Sequence, residues 1–281
     1  MLSSIAITNA QTTGKVLEGK IVTSKILGKN IAYSIYFPPD YDLSVSRRYP
    51  VVYLLHGYSD YETAWVQFGN VNQAADKAIA NNDITPMIII MPQGELNWYV
   101  NDHTGKVKWM DMFIKELIPT IDKEYRTRAS VEYRAISGLS MGGYGSLINA
   151  IKNPSVFSAC AALSAAVWTD DEVIASGNDY ENPWYSKGIE GKDRLTKHWY
   201  ENSIFEQIKK TPLDTLKKVR WYFDCGDDDF LTIGNANLHI AMKEKKLPHE
   251  YRVRNGSHNW DYWRTNITDA LKFISQGFDR R

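Results

Sequence analysis

Two short runs, Val51–Leu55 and Met87–Met91, are apolar at every position. That pattern marks strands covered on both faces, as in a parallel sheet, rather than strands with one wet side. Lys20–Leu27 and Ile31–Phe37 alternate instead, with Gly28-Lys29-Asn30 between them, which predicts an antiparallel hairpin ended by Pro38-Pro39-Asp40. The period then changes to that of a helix. Phe113, Leu117, Ile118 and Ile121 share one face of a helix over Met110–Tyr125. Met141–Lys152 predicts a second helix, stopped by Asn153-Pro154, and Ile267–Ile274 the last. Arg134–Ile136, Cys160–Leu163, Val219–Phe223 and Glu250–Val253 are further candidate strands. Strands alternating with helices predict an α/β fold with a mainly parallel, right-handed central sheet flanked by helices. One stretch breaks the rhythm. From Trp168 to Tyr200 the chain is polar, holds Gly and Asn, and carries Trp168, Trp184, Tyr185, Trp199 and Tyr200. A long irregular segment inside a compact domain is usually functional or mobile. It is expected to be a lid over the C-terminal edge of the sheet, the alternative being a surface loop whose aromatics fold back on the core.

Composition narrows the classes. The 281 residues carry Lys+Arg 33 against Asp+Glu 33, so the basic surplus that grips nucleic acid or an anionic membrane is missing. No apolar stretch approaches the roughly 18 residues of a membrane helix. Cys160 and Cys225 sit in apolar surroundings and read as buried thiols rather than a disulfide framework. There is neither a His-Glu-x-x-His motif nor a Cys/His cluster at zinc spacing, so no metal is expected. Trp 9 and Tyr 17 leave two readings open, half-buried rings of ordinary kind or a site that handles rings. Met1–Gln11 lacks the basic start and apolar core of a whole signal peptide, but Thr8-x-Ala10 before Gln11 matches a small-residue cleavage site. Residues 1–15 are therefore expected to be a disordered segment, either a signal-peptide remnant or an ordinary terminus. A secreted or periplasmic location is expected, with a cytoplasmic one as the alternative.

The chemistry centres on Gly138-Leu139-Ser140-Met141-Gly142-Gly143. This contains Gly-x-Ser-x-Gly between a predicted strand and a predicted helix, the strand–turn–helix of a nucleophile elbow. Glycines are expected there because the turn is too tight for side chains, with Ser140 held at an unusual backbone angle. Met141 opens the helix, so its N–H is offered to a developing oxyanion. A serine hydroxyl needs a base. His258, just past the last strand and before the last helix, is the candidate; His198, His239 and His249 stand at the wrong places. The acid should follow the strand Val219–Phe223, where Asp227, Asp228 and Asp229 are consecutive. Asp229 is the candidate acid, with Asp228 as the alternative. The second oxyanion donor should follow Val51–Leu55, where Tyr58 N–H is placed for it. His56 precedes the serine and is assigned a structural hydrogen-bonding role. Gln93, Trp98, Trp168 and Trp260 are expected substrate contacts, by their places after a strand, in the lid and beside the base. Asn255-Gly256-Ser257 matches a glycosylation pattern, but a glycan there would block the base, so the match is read as chance.

Leu55-His56-Gly57, Gly138-Leu139-Ser140-Met141-Gly142-Gly143, Cys225-Gly226-x-x-Asp229 and Gly256-x-His258-x-Trp260 together resemble one esterase branch of the α/β hydrolases. That branch holds esterase D, the mycolyl transferases and the feruloyl and acetyl-xylan esterases of carbohydrate esterase family 1. Glu116-Leu117-Ile118-Pro119 and Tyr125-Arg126 resemble it too. The likeness covers residues 16 to 276 and leans, through the aromatic insertion and Trp260, toward the carbohydrate esterases. It implies an α/β-hydrolase fold, a single catalytic domain over 16–281 with a lid insertion at about 168–200, and a cofactor-free serine esterase. The implied reaction removes feruloyl groups from plant cell-wall polysaccharide such as xylan. The alternatives are an acetyl-xylan or small-ester esterase, a thioesterase like S-formylglutathione hydrolase, and an inert carbohydrate-binding protein on the same fold. Feruloylated or acetylated oligosaccharide is the expected partner, with no nucleic acid and no membrane. No feature of the sequence sets an oligomeric state.

Overall fold

The computed structural model describes residues 13–177 and 182–279. Among the described residues the sheet has eight strands in the order β1-β2-β4-β3-β5-β6-β7-β8. They span Lys15–Ser24, Lys29–Phe37, Val51–Leu55, Ile88–Pro92, Arg134–Leu139, Ala159–Leu163, Arg220–Gly226 and Glu250–Arg254 in chain order. Strands β3 to β8 run parallel, and β1 and β2 join as an antiparallel edge. This is the α/β-hydrolase architecture.

The apolar runs have the two-sided burial their pattern requires. In β3, Val51, Tyr53 and Leu55 pack into the core on one face, while Val52 and Leu54 pack into the core on the other. In β4, Ile88 and Ile90 divide from Ile89 and Met91 in the same way. Each such side chain is worth about 1.5–3 kcal/mol when fully buried, which fixes the middle of the sheet.

Some boundaries differ from the expected ones. The hairpin turn falls at 25–28, with Ser24 opposite Lys29, so β1 lies earlier than Lys20–Leu27 and the turn is not Gly28-Lys29-Asn30. A distant carboxylate moves it. Glu116 accepts the Lys25 and Ile26 N–H groups at 3.0 and 3.1 Å and the Ser24 hydroxyl. Ile26 and Leu27 then pack on the core instead of lengthening the ladder. The helix over Met110–Tyr125 is a composite of Trp109–Met112, a wide π turn over Phe113–Leu117, and Ile118–Glu124. Pro119 cannot donate into it, and the Ile118 N–H reaches back five residues to Phe113 O. The last helix runs from Trp260 to Asp279, well beyond Ile267–Ile274, because Trp263, Ile267, Leu271, Ile274 and Phe278 continue the buried stripe in both directions. Residues 1–12 of the expected terminal segment lie outside the described residues, and Lys15 already belongs to β1.

The insertion is not irregular throughout. It contains helices Asp170–Ala175 and Lys197–Asn202, capped by Thr169 and Thr196. Trp184 and Trp199 are buried within it, and Trp168 and Tyr185 are half-buried. The two expectations merge, because these four aromatics fold back and also wall the cavity above the sheet.

Candidate active site

Strand β5 ends at Leu139 and the helix Met141–Lys152 begins two residues later. Ser140 between them has φ 53° and ψ −116°, a costly conformation for a residue with a Cβ. It is held there by its neighbours. Ser140 N–H donates to Leu163 O at 2.9 Å, and Ala166 N–H donates to Ser140 O at 3.0 Å. The flanking glycines meet the expected need, a turn with no room for side chains, and not a left-handed backbone. Gly138 and Gly142 do not have positive φ. Instead, a Cβ at Gly142 would stand 2.5 Å from Leu55 O, and one at Gly138 would stand 2.6 Å from Gly142 O. The elbow is pressed against the end of β3, and glycine is what fits.

His258 sits in the loop between β8 and the last helix. Its Nε2 is 2.9 Å from Ser140 Oγ, and its Nδ1 is 3.0 and 2.9 Å from the two Asp229 oxygens. The three consecutive aspartates part ways. The Asp227 carboxylate accepts the Gly256 N–H at 2.9 Å and so ties the loop that carries His258. Asp228 is exposed. Asp229 is buried, and its Oδ1 also accepts the Leu231 N–H at 2.9 Å. Burial alone would raise the Asp229 carboxyl, but the hydrogen bonds from His258 and Leu231 outweigh it and hold the group below the usual carboxylate range. An ionised acceptor therefore faces Nδ1, which directs the imidazole lone pair at Nε2 toward Ser140.

Met141 is the first residue of its helix, so its N–H has no acceptor within that helix. Tyr58 lines the same cavity from the loop after β3. His56 lies elsewhere. It is buried, with Nδ1 2.7 Å from Gly57 O, and Nε2 within 2.7 Å of the Gln93 side chain and 2.8 Å of Gly94 N. Burial lowers its basicity. Gln93, expected to touch substrate, is not part of the cavity wall. Its Oε1 is spent on His56 and on the Glu95 N–H at 2.8 Å. Trp98, Trp168 and Trp260 do line the cavity. Trp98 and Tyr99 both have positive φ, at 54° and 60°, which presses Trp98 against Trp168 and Trp184 at ring separations of 5.2 and 4.9 Å.

The structure adds residues that no motif marked. Ser164, at the end of β6, is buried with φ 43°. Its Oγ accepts the Trp263 indole N–H at 3.1 Å, and the hydroxyl helps keep the Asp229 carboxyl low. Trp263 stands edge-on to His258 at 4.8 Å. Asp60, Glu172 and Phe230 line the cavity as well. Nothing local in the sequence singles out Ser164, whereas Trp263 lies within a turn and a half of His258 on the same segment.

The cavity over Ser140 has a volume of about 640 Å³, walled mainly by aromatic rings. Among the described residues, Asp60 and Glu172 are the acidic side chains in its wall and no Lys or Arg lines it. A hydroxyl bonded to an imidazole, a carboxylate behind it and a helix N-terminus beside it can carry acyl transfer.

Kinship agrees with this geometry. A family model described as "Putative esterase" matches residues 24–274. An acetyl esterase of Caldicellulosiruptor saccharolyticus is 26% identical over 266 residues, covering 91% of this chain and 97% of that protein. An endo-1,4-beta-xylanase/feruloyl esterase of Xylanibacter ruminicola is 35% identical over 156 residues, 53% of this chain but 22% of that longer protein. A solved ferulic acid esterase superposes with a TM-score of 0.81 at 30% identity, covering 95% of this chain and 100% of that one.

Proposed function

The chain belongs to this esterase family, and from that premise we propose that it hydrolyses hydroxycinnamoyl esters, ferulate above all, carried on plant cell-wall polysaccharide. The observation that carries the reading is the aromatic-walled cavity of about 640 Å³ opening on Ser140. A flat, largely apolar acyl group fits such walls, whereas an acetyl group would leave most of that space to water. Among the described lining residues Asp60 and Glu172 stand without a cation, which argues against a glutathione thioester, whose carboxylates would meet them. The likeness to an acetyl esterase supports a second reading, an acetyl ester on the same polymers.

In the proposed mechanism Ser140 Oγ bonds to the ester carbonyl carbon while its proton passes to His258 Nε2. Asp229 holds the ring and balances its charge. The N–H groups of Met141 and Tyr58 stabilise the oxyanion. The bond to the alcohol oxygen then breaks, and the alcohol leaves with the proton from His258. Water repeats the sequence on the acyl-enzyme, releasing the carboxylic acid and restoring the Ser140 hydroxyl. The test is ferulate release from methyl ferulate beside p-nitrophenyl acetate, with Ser140→Ala as the blank. Ferulate release that drops by about 10³–10⁶ in the variant supports the reading. Turnover of the acetate ester alone transfers it to acetyl esters, and near-wild-type turnover by Ser140→Ala refutes the assigned nucleophile.

A further inference from the structure

The departing oxygen takes its proton from His258 Nε2, so the alcohol must stand beside that imidazole. Phe230 packs against the same ring. Its ring is 4.5 Å from the His258 ring, it lines the cavity, and it is 73% exposed. Trp260, two residues past His258, lines the same opening and stands edge-on to Trp65 and Trp263 at 5.3 and 5.4 Å. Phe68, 50% exposed, extends the surface with its ring 5.8 Å from Trp260. The platform is braced from below. Arg264 Nε donates to Phe68 O at 2.9 Å, tying the Phe68 turn to the last helix. Single exposed rings need no explanation, but exposed rings grouped around one opening do.

We propose that Phe230, Trp260 and Phe68 form a leaving-group subsite that takes the C–H face of a sugar ring, with Asp60 accepting from one of its hydroxyl groups. The inference rests on the esterase reading above and extends it to the alcohol. A sugar ring matches the surface in two respects. Its C–H face covers apolar rings, and its rim of hydroxyl donors suits a carboxylate at the cavity wall. Asp60 is close to the reacting atoms. The point where a Cβ on Gly57 would stand is 3.2 Å from Asp60 Oδ2 and 3.8 Å from Ser140 Cβ. An anionic alcohol would be repelled, because Asp60 and Glu172 line the cavity and no cation among the described lining residues offsets them.

The test compares kcat/KM on methyl ferulate with kcat/KM on a ferulate ester of an arabinose-containing oligosaccharide, for wild type, Phe230→Ala and Phe68→Ala. Phe68 is exposed and outside the cavity wall, so its variant guards against a folding artefact at Phe230. The expected result is that the ratio of sugar ester to methyl ester falls about fivefold or more in both variants. If wild type hydrolyses both esters and the ratio is unchanged in both variants, the subsite is refuted while the feruloyl reading stands. If wild type hydrolyses neither ester, the feruloyl reading fails and takes the subsite with it.

Discussion

Asp229→Asn tests how the imidazole is held, and the structure sets the size of the effect. Asp229 Oδ1 accepts the Leu231 N–H at 2.9 Å, and both oxygens lie within 3.0 Å of His258 Nδ1. Asparagine keeps its carbonyl oxygen on the Leu231 N–H, since an amide nitrogen there would set donor against donor. The NH₂ group then takes the place of Oδ2 and points a donor at Nδ1. To accept from it, the imidazole must carry its proton on Nε2, which faces Ser140 Oγ 2.9 Å away. The ring can then no longer take the serine proton. Where a serine–histidine–aspartate relay is altered in this way, kcat falls by roughly 10⁴, about 5.4 kcal/mol of barrier. KM should change little, because Asp229 lies behind the imidazole and away from the cavity wall. Asp228→Asn changes an exposed side chain that the imidazole does not contact, and it should stay within about twofold of wild type. The assay is kcat and KM on methyl ferulate and p-nitrophenyl acetate for both variants, with thermal melts to verify folding. An Asp229→Asn enzyme within tenfold of wild type, or a more damaging Asp228→Asn, would refute the reasoning.

Further outcomes follow from other contacts. Gly142→Ala should cost about 1–3 kcal/mol in urea unfolding, since its Cβ would press 2.5 Å from Leu55 O, and the backbone shift should lower kcat as well. Asp224→Asn should flatten the pH dependence of stability. Burial pushes the Asp224 carboxyl up to about 7 despite its hydrogen bond from Tyr222 and its ion pair with Arg254. The folded state therefore holds a proton that the unfolded chain releases near pH 4. Wild-type stability should then fall as pH rises from about 4 to 7, by up to ~1.4 kcal/mol per unit, and the Asn variant should lose that slope. Glu116→Gln should lower the unfolding midpoint by about 1–2 kcal/mol of stability, because an amide cannot accept at both ends of the Ser24–Ile26 turn. Trp98→Ala should lower kcat/KM on methyl ferulate about tenfold more than on p-nitrophenyl acetate, if the wall it forms receives the cinnamoyl ring; equal losses on both esters would count against that placement.

What was legible in the sequence was whatever local chain geometry enforces. The elbow around Ser140 could be read because strand, tight turn and helix occupy consecutive residues, and the two-sided strands because a run such as Val51–Leu55 has no wet face to offer. His258 could be read because the last strand and last helix bracket it. Other features depend on residues far apart in the chain. The hairpin turn moved because Glu116, about ninety residues away, holds the N–H groups of Lys25 and Ile26. Gln93 turned from the cavity because His56 and the Glu95 N–H claim its oxygen. Gly138 and Gly142 were visible as a motif with no room for side chains, but the atom that takes the room, the carbonyl of Leu55, comes from the end of β3, far away in the chain.

The aspartates mark the boundary most clearly. From the sequence alone, the α/β fold, the strand–turn–helix around Ser140 and the short stretch that brings a carboxylate to His258 were determined, because each follows from periodicity or from the order of adjacent elements. Only the tertiary structure decided how Asp227, Asp228 and Asp229 divide their contacts, how Ser164 and Trp263 stand against Asp229 and His258, and how the aromatics of the insertion wall one cavity. Those outcomes depend on which side chain a turn carries inward and what it meets there, and such meetings between distant segments leave no period in the chain.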